Sequence, residues 1–133
     1  MRKSIFFNNQ ISDIKRLNGI VEEIGNELNM NAGEVFNANL ILEEVLSNII
    51  FYGYEKGVED QIEIIVKSEN GTLTLEVLDG AKPFDLTIKS QDAHIGLSNE
   101  TQVGGLGILL IKKLSKSIEY KRENGKNHLI IKL

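Results

Sequence analysis

The apolar positions of this chain switch between a helical period and a strand period. At 14, 17, 20, 21, 24 and 28 they follow helical spacing, and Ser12-Asp13-Ile14 offers an N-cap, which predicts a helix from about Asp13 to Leu28. A short strand over Ser4 to Asn8 precedes it, and Asn29-Met30-Asn31 reads as a turn after it. A second helix is expected from Ala32 to Tyr54. Its apolar residues at 38, 40, 41, 42, 45, 46, 49, 50 and 51 cover most of the circumference, as in a helix buried on several sides. After the polar loop 55–60, Gln61 to Ser68 reads as a strand. Thr72 to Leu78 alternates Leu73, Leu75 and Val77 with polar residues, which marks a half-buried strand. Asn70-Gly71 between them is a hairpin signal. Periodicity fails from Asp79 to Val103, and a loop of about 25 residues in a compact domain is usually functional. Gly104-Gly105-Leu106-Gly107 is expected to open a third main helix through Leu114. Ile118 to Arg122 and His128 to Leu133 then form a closing hairpin. The order β-α-α-β-β-loop-α-β-β predicts an α+β two-layer sandwich. Its mixed, mostly antiparallel sheet would carry about three helices on one face.

Composition narrows the class. At 133 residues without repeat or linker, one domain over 1–133 is expected, burying roughly two-thirds of its unfolded surface. A net charge of −4 argues against bulk attraction to nucleic acid or an anionic membrane. There is no Cys, hence no disulfide or thiolate chemistry. No apolar run approaches the roughly 20 residues that span a bilayer, and the N-terminus turns polar too soon for a signal peptide, so a cytoplasmic protein is expected.

Three motifs carry candidate chemistry. Glu44 and Asn48 interrupt the buried helix one turn apart and share a face. Unpaired burial of such groups costs roughly several kcal/mol, so they face either a solvated edge or a bound partner. In the second case Asn48 offers an oxygen to a hard cation such as Mg²⁺, and a glutamate can orient or deprotonate a nucleophile. Glu43 and Ser47 form an adjacent polar stripe, so spacing leaves open which glutamate serves. Asp79 ends a strand and begins Asp79-Gly80-Ala81-Lys82-Pro83-Phe84-Asp85. This is either turn chemistry or a carboxylate for a ligand's amino group, with small neighbours admitting a flat ring. The glycine cluster 104–107 at an expected helix N-terminus suits phosphate or, alternatively, a lid hinge, and it matches neither the Walker A nor the Rossmann pattern. His94 and His128 have no metal-pair spacing. Tyr52 and Tyr54 read as packing, and Lys112, Lys113, Lys116, Lys121, Arg122 and Lys126 as a solvated face.

In this order the motifs resemble those of the GHKL (Bergerat-fold) ATPases. Within that superfamily the chain looks most like the small stand-alone anti-sigma-factor serine/threonine kinases. The likeness extends from Leu42-Glu43-Glu44-Val45-Leu46-Ser47-Asn48 to Tyr120 and Gly125-Lys126-Asn127-His128-Leu129. It implies the Bergerat ATP-binding fold with ATP and Mg²⁺ as cofactors. By resemblance, Glu44 is the acid that orients the attacking hydroxyl, Asn48 the Mg²⁺ ligand, and Asp79 the acceptor of the adenine amino group. Ala81 and Phe84 belong to the segment that follows it at the ring. Gly104, Gly105, Leu106 and Gly107 form the phosphate box, and about 80–103 the ATP lid. Ala81 stands where the family usually has Gly, Tyr52 where many relatives have His, and Lys116 near a usual acidic position. A cation for the γ-phosphate would come from Lys82, Lys89 or the partner. The implied activity is transfer of the ATP γ-phosphate to a Ser or Thr of an anti-anti-sigma antagonist protein, with sequestration of a sigma factor by a homodimer. The alternative is a nucleotide-gated regulatory binding module without kinase activity. A detached histidine-kinase catalytic domain is a third reading.

Overall fold

A computed structural model describes residues 1–87 and 99–133, and the side chains of all of these except 99–106. The elements are β1 (Arg2–Asn8), α1 (Ile11–Ile14), α2 (Leu17–Glu27), α3 (Ala32–Tyr52), β2 (Gln61–Glu69), β3 (Thr72–Asp79), α4 (Asn99–Leu114), β4 (Ser117–Glu123) and β5 (Lys126–Lys132). The strands form one sheet in the order β1-β2-β3-β5-β4, and all four ladders are antiparallel. Both hairpins turn on Asn-Gly. Asn70 and Gly71 have φ of 51° and 77°, and Asn124 and Gly125 have 53° and 73°, the left-handed pair that a two-residue turn between right-twisted strands requires.

Alternation along the strands places Phe7, Ile62, Ile64, Leu73, Leu75, Leu129 and Ile131 on one face, where they share a single core with the helices. α3 runs through that core, burying Ala38, Ile41, Leu42, Val45 and Leu46. Its start is a capping box: Glu34 N–H donates to Asn31 Oδ1 at 2.8 Å, and Asn31 N–H to Glu34 Oε1 at 2.9 Å. It ends at Tyr52, two residues before the expected Tyr54. The Tyr54 hydroxyl instead donates to Asp60 Oδ2 at 2.7 Å and fixes the loop that leads into β2.

Two further helix boundaries depart from the sequence reading. The expected helix 13–28 is two helices, and Ser12 does not cap it, since α1 already begins at Ile11. Asp13 Oδ2 accepts the Asn8 N–H at 2.6 Å and Arg16 Nη1 at 2.9 Å. Arg16 N–H then bonds Asp13 O at 3.1 Å, an i+3 link that tightens the chain before α2 restarts at Leu17. At the other end of the chain, α4 starts at Asn99, so the glycine cluster lies inside the helix rather than at its opening. Glu100 and Gln102 favour helix, whereas each interior glycine costs about 1 kcal/mol relative to alanine. Gly107 lies where the helix passes close to Glu44 of α3.

On the opposite face of the sheet, Glu76 is 7% exposed and paired with Lys67 and with His128 Nε2, the latter at 2.6 Å. His128 is thus engaged with a carboxylate. Removing the Asn31 cap tests the helix account. Asn31→Ala is expected to lower stability by about 1 kcal/mol, read by chemical denaturation with an unchanged slope.

Candidate functional site

The inward row of β3 is Leu73, Leu75, Val77 and then Asp79, so the alternation that builds the core also delivers a carboxylate to its edge, where Asp79 is 3% exposed. The inward row of β5 runs from Ile131 through Leu129 to Asn127, and that of β4 from Ile118 through Tyr120 to Arg122. Register sets Asp79 opposite Asn127, and Asn127 opposite Arg122, so the three polar residues form one rung across three strands. Asp79 Oδ1 accepts from Asn127 Nδ2 at 2.8 Å and from the Ala81 N–H at 2.9 Å. Asn127 Nδ2 also reaches Lys82 O at 3.0 Å and Ala81 O at 3.3 Å. Asn127 Oδ1 accepts from Arg122 Nη1 at 2.9 Å and from the Tyr120 hydroxyl, and Arg122 Nη1 donates as well to Ala81 O at 2.7 Å. Burial raises the Asp79 carboxyl above its ordinary range. The bonds from Asn127 and Ala81, and the charge of Arg122, pull it partly back.

Across from this rung, α3 presents Val45, Asn48, Ile49 and Tyr52 as one stripe. Between stripe and rung lies a cavity of about 300 Å³, closed at its sides by Ala81, Phe84, Leu86 and Ile108. Its walls are largely apolar, with Asp79, Asn48 and Asn127 among a few polar residues that include Lys82, Tyr52 and Tyr120, the usual make-up of a small-molecule site. Ala81 is buried against Gly53, where an added Cβ would lie 2.7 Å from the Ala81 Cβ. Lys82 N–H donates to Gly53 O at 3.0 Å, which ties the start of the loop to the end of α3. Tyr52 is half exposed at the rim, and Phe84 is 40% exposed.

Glu44 sits one turn before Asn48, outside this lining, and faces α4: a Cβ on Gly107 would lie 2.0 Å from Glu44 Oε2. Glu43 is exposed. Geometry therefore selects Glu44 as the glutamate in the α3–α4 crevice. Burial, then the neighbouring Glu43 charge, raises its carboxyl above the ordinary range. Within α4 the amides of 104–107 are helical and bond one turn back, so in this conformation they are not the free N–H groups of a helix opening. Residues 88–98 of the expected lid, with Lys89 and His94, lie outside the described residues, as do the side chains of 99–106, Leu106 included.

The sequence reading missed the rung. It placed Arg122 on a solvated face, and the residue is exposed, but its guanidinium also donates to Ala81 O and Asn127 Oδ1. The available signal was phase: Asn127 alternates with Leu129 and Ile131, and Arg122 with Ile118 and Tyr120.

Among the described residues no group of three or more His, Cys, Asp or Glu side chains could hold a metal by itself. A hard cation at Asn48 would complete its shell with water and ligand oxygens, which is how Mg²⁺ commonly sits with phosphates. The Asn48 amide has no hydrogen bond among the described residues, so its oxygen is open to such use. No helix of the described residues is long and apolar enough to cross a membrane.

Comparison with known proteins adds family information. A model of the histidine kinase-like ATPase domain matches residues 7–133. The serine/threonine-protein kinase BtrW of Bordetella bronchiseptica is 24% identical over 96 residues, covering 72% of this chain and 68% of the relative. The serine-protein kinase RsbW of Halalkalibacterium halodurans is 23% identical over 121 residues, covering 79% of this chain and 66% of that protein. The chain thus spans about two-thirds of the length of these relatives. A chain in the crystal structure of the SiaB–SiaC complex from Pseudomonas aeruginosa superposes with a TM-score of 0.65 at 17% identity, covering 97% of this chain and 88% of that one. It shares the fold.

The Glu44 environment predicts a pH signature. Its raised pKa means that the folded state binds a proton more readily than the unfolded chain, so the ionised form opposes folding. Its contribution is most favourable below the unfolded value and is lost as pH rises through the folded one. Glu44→Gln is expected to melt above the parent at about pH 8, with the gap closing by about pH 4. Thermal unfolding across that range reads it, and a gap independent of pH contradicts the buried placement.

Proposed function

The chain belongs to the histidine kinase-like ATPase domain family, and from that premise we propose that it binds Mg-ATP in the Asp79 cavity and transfers the γ-phosphate to a Ser or Thr hydroxyl of a small antagonist protein. The observation that carries the reading is a buried carboxylate set in an apolar cavity of about 300 Å³, a volume and chemistry suited to an aminopurine ring. An amino group donates and a carboxylate accepts, so Asp79 favours adenine over a ring with a keto oxygen at the same position. Ala81 and Phe84 border the ring.

Asn48 would hold Mg²⁺ through its side-chain oxygen, and Gly104, Gly105, Leu106 and Gly107 would hold the phosphates. For that, the helical amides of this segment must be released from their intrahelical bonds, a change that three glycines in four positions make inexpensive. Mg²⁺, when bound, neutralises phosphate charge. Glu44, half-buried beside Gly107 with a raised pKa, is placed to accept the proton of an attacking hydroxyl near the phosphate end of the site. Both curated relatives are named as serine or serine/threonine kinases, which supports a hydroxyl acceptor. The likeness to anti-sigma-factor kinases further supports an anti-anti-sigma antagonist as substrate, a sigma factor held without phosphorylation, a homodimer, and action in the cytoplasm on transcription.

Two substitutions separate binding from transfer. Asn48→Ala is expected to weaken Mg-ADP binding by about 10- to 100-fold in calorimetry while leaving the melting point of the free protein near its parent value. Glu44→Gln is expected to bind Mg-ATP as the parent does and to lose transfer to an antagonist protein by about 100-fold or more. Parent protein that binds Mg-ATP and phosphorylates no acceptor would instead make the chain a nucleotide-gated binding module.

A further inference from the structure

We propose that Asn127 is the positioning residue that makes the cavity discriminate between a ring amino group and a ring keto group. This rests on the nucleotide reading of the same cavity. Asp79 has two oxygens, and both protein donors, Asn127 Nδ2 at 2.8 Å and the Ala81 N–H at 2.9 Å, meet Oδ1. Among the described residues no donor meets Oδ2. A buried carboxylate that lines the cavity thus has one oxygen committed to the protein and the other left to a ligand.

The orientation of the Asn127 amide is determined by its neighbours. Its Oδ1 faces two donors, Arg122 Nη1 at 2.9 Å and the Tyr120 hydroxyl. Its Nδ2 faces three acceptors: Asp79 Oδ1, Lys82 O at 3.0 Å and Ala81 O at 3.3 Å. Turning the amide over would set N–H groups against N–H and O–H donors, and an oxygen against three acceptors, leaving buried polar groups unsatisfied. Strands β4 and β5 therefore hold the amide, and the amide holds both the Asp79 carboxylate and the backbone of 81–82 at the mouth of the cavity. Without it, Asp79 Oδ1 keeps only the Ala81 N–H, and the carboxylate is free to rotate. A rotated carboxylate neither receives a ring amine in a fixed direction nor opposes a keto oxygen placed there. Discrimination is lost in preference to affinity in general.

The test compares ADP with IDP, which differ at the ring position in question, by calorimetry with Mg²⁺ on the full chain. The parent is expected to prefer ADP by at least about tenfold. In Asn127→Leu, which keeps size and removes both amide groups, ADP affinity falls about tenfold and IDP affinity stays within about twofold, so the preference nearly vanishes. A purely structural role for Asn127 would weaken both ligands together and leave the ratio intact, and that result overturns the proposal. Arg122→Met carries the test should the leucine variant unfold. It leaves the amide in place but removes one of the two donors that orient it, and the ratio is expected to drop about threefold; an unchanged ratio there counts equally against the proposal. A parent protein that binds neither nucleotide, or both equally, overturns the nucleotide reading at the first step, a failure distinct from that of Asn127.

Discussion

A buried carboxylate at the end of a central strand, on the side of the sheet that faces the helices, is costly unless donors meet it. Asp79 is that carboxylate, and much of the site follows from its needs. Its partner strand supplies Asn127 in register, the next strand supplies Arg122 and Tyr120 to hold Asn127, and its own loop bends so that the Ala81 N–H can donate to it. The bend brings Lys82 N–H to the end of α3, so the helix, the loop and three strands meet around one residue. The arrangement fills the donor needs of one oxygen and builds a cavity around the rest.

The second centre is the crossing of α3 and α4. Gly107 lets α4 pass where a side chain would displace the Glu44 carboxylate from its present place. Glu44 is held in partial burial at an energetic cost to the folded state, the kind of local destabilisation that proteins retain at working sites. Asn48 lies one turn further along the same helix, so a single rigid element sets the spacing between the proposed base, the proposed metal ligand and the cavity wall. The costly burial of Glu44 thus sits on α3, while the core beneath it is ordinary aliphatic packing.

Most of the fold was legible in the chain because its signals are local. Period-2 alternation in 72–78, the Asn-Gly turns and the apolar run of α3 need no tertiary information. The α1–α2 break was not legible, because it depends on Asp13 reaching back to Asn8, a contact made only once β1 is in place. The position of the glycine cluster was misjudged for a related reason: glycine suggests a helix boundary, and only the approach to Glu44 explains one inside a helix. Glu44, Asn48 and Asp79 stood out as polar residues against apolar or strand-end backgrounds. Asn127 and Arg122 did not, since both are unremarkable near a hairpin until the register of three strands places them on one rung. Family membership carries the ATPase fold.

Whether the Asp79 cavity selects adenine, as proposed above, is read by thermal unfolding with Mg-ATP against Mg-GTP. At about 100 times its dissociation constant a ligand stabilises by roughly 2.7 kcal/mol, which for a chain of this size raises the midpoint by on the order of 8–10 °C. That rise is expected with Mg-ATP, and little or none with Mg-GTP at equal concentration. Equal shifts with both nucleotides, or a shift with neither, would contradict it.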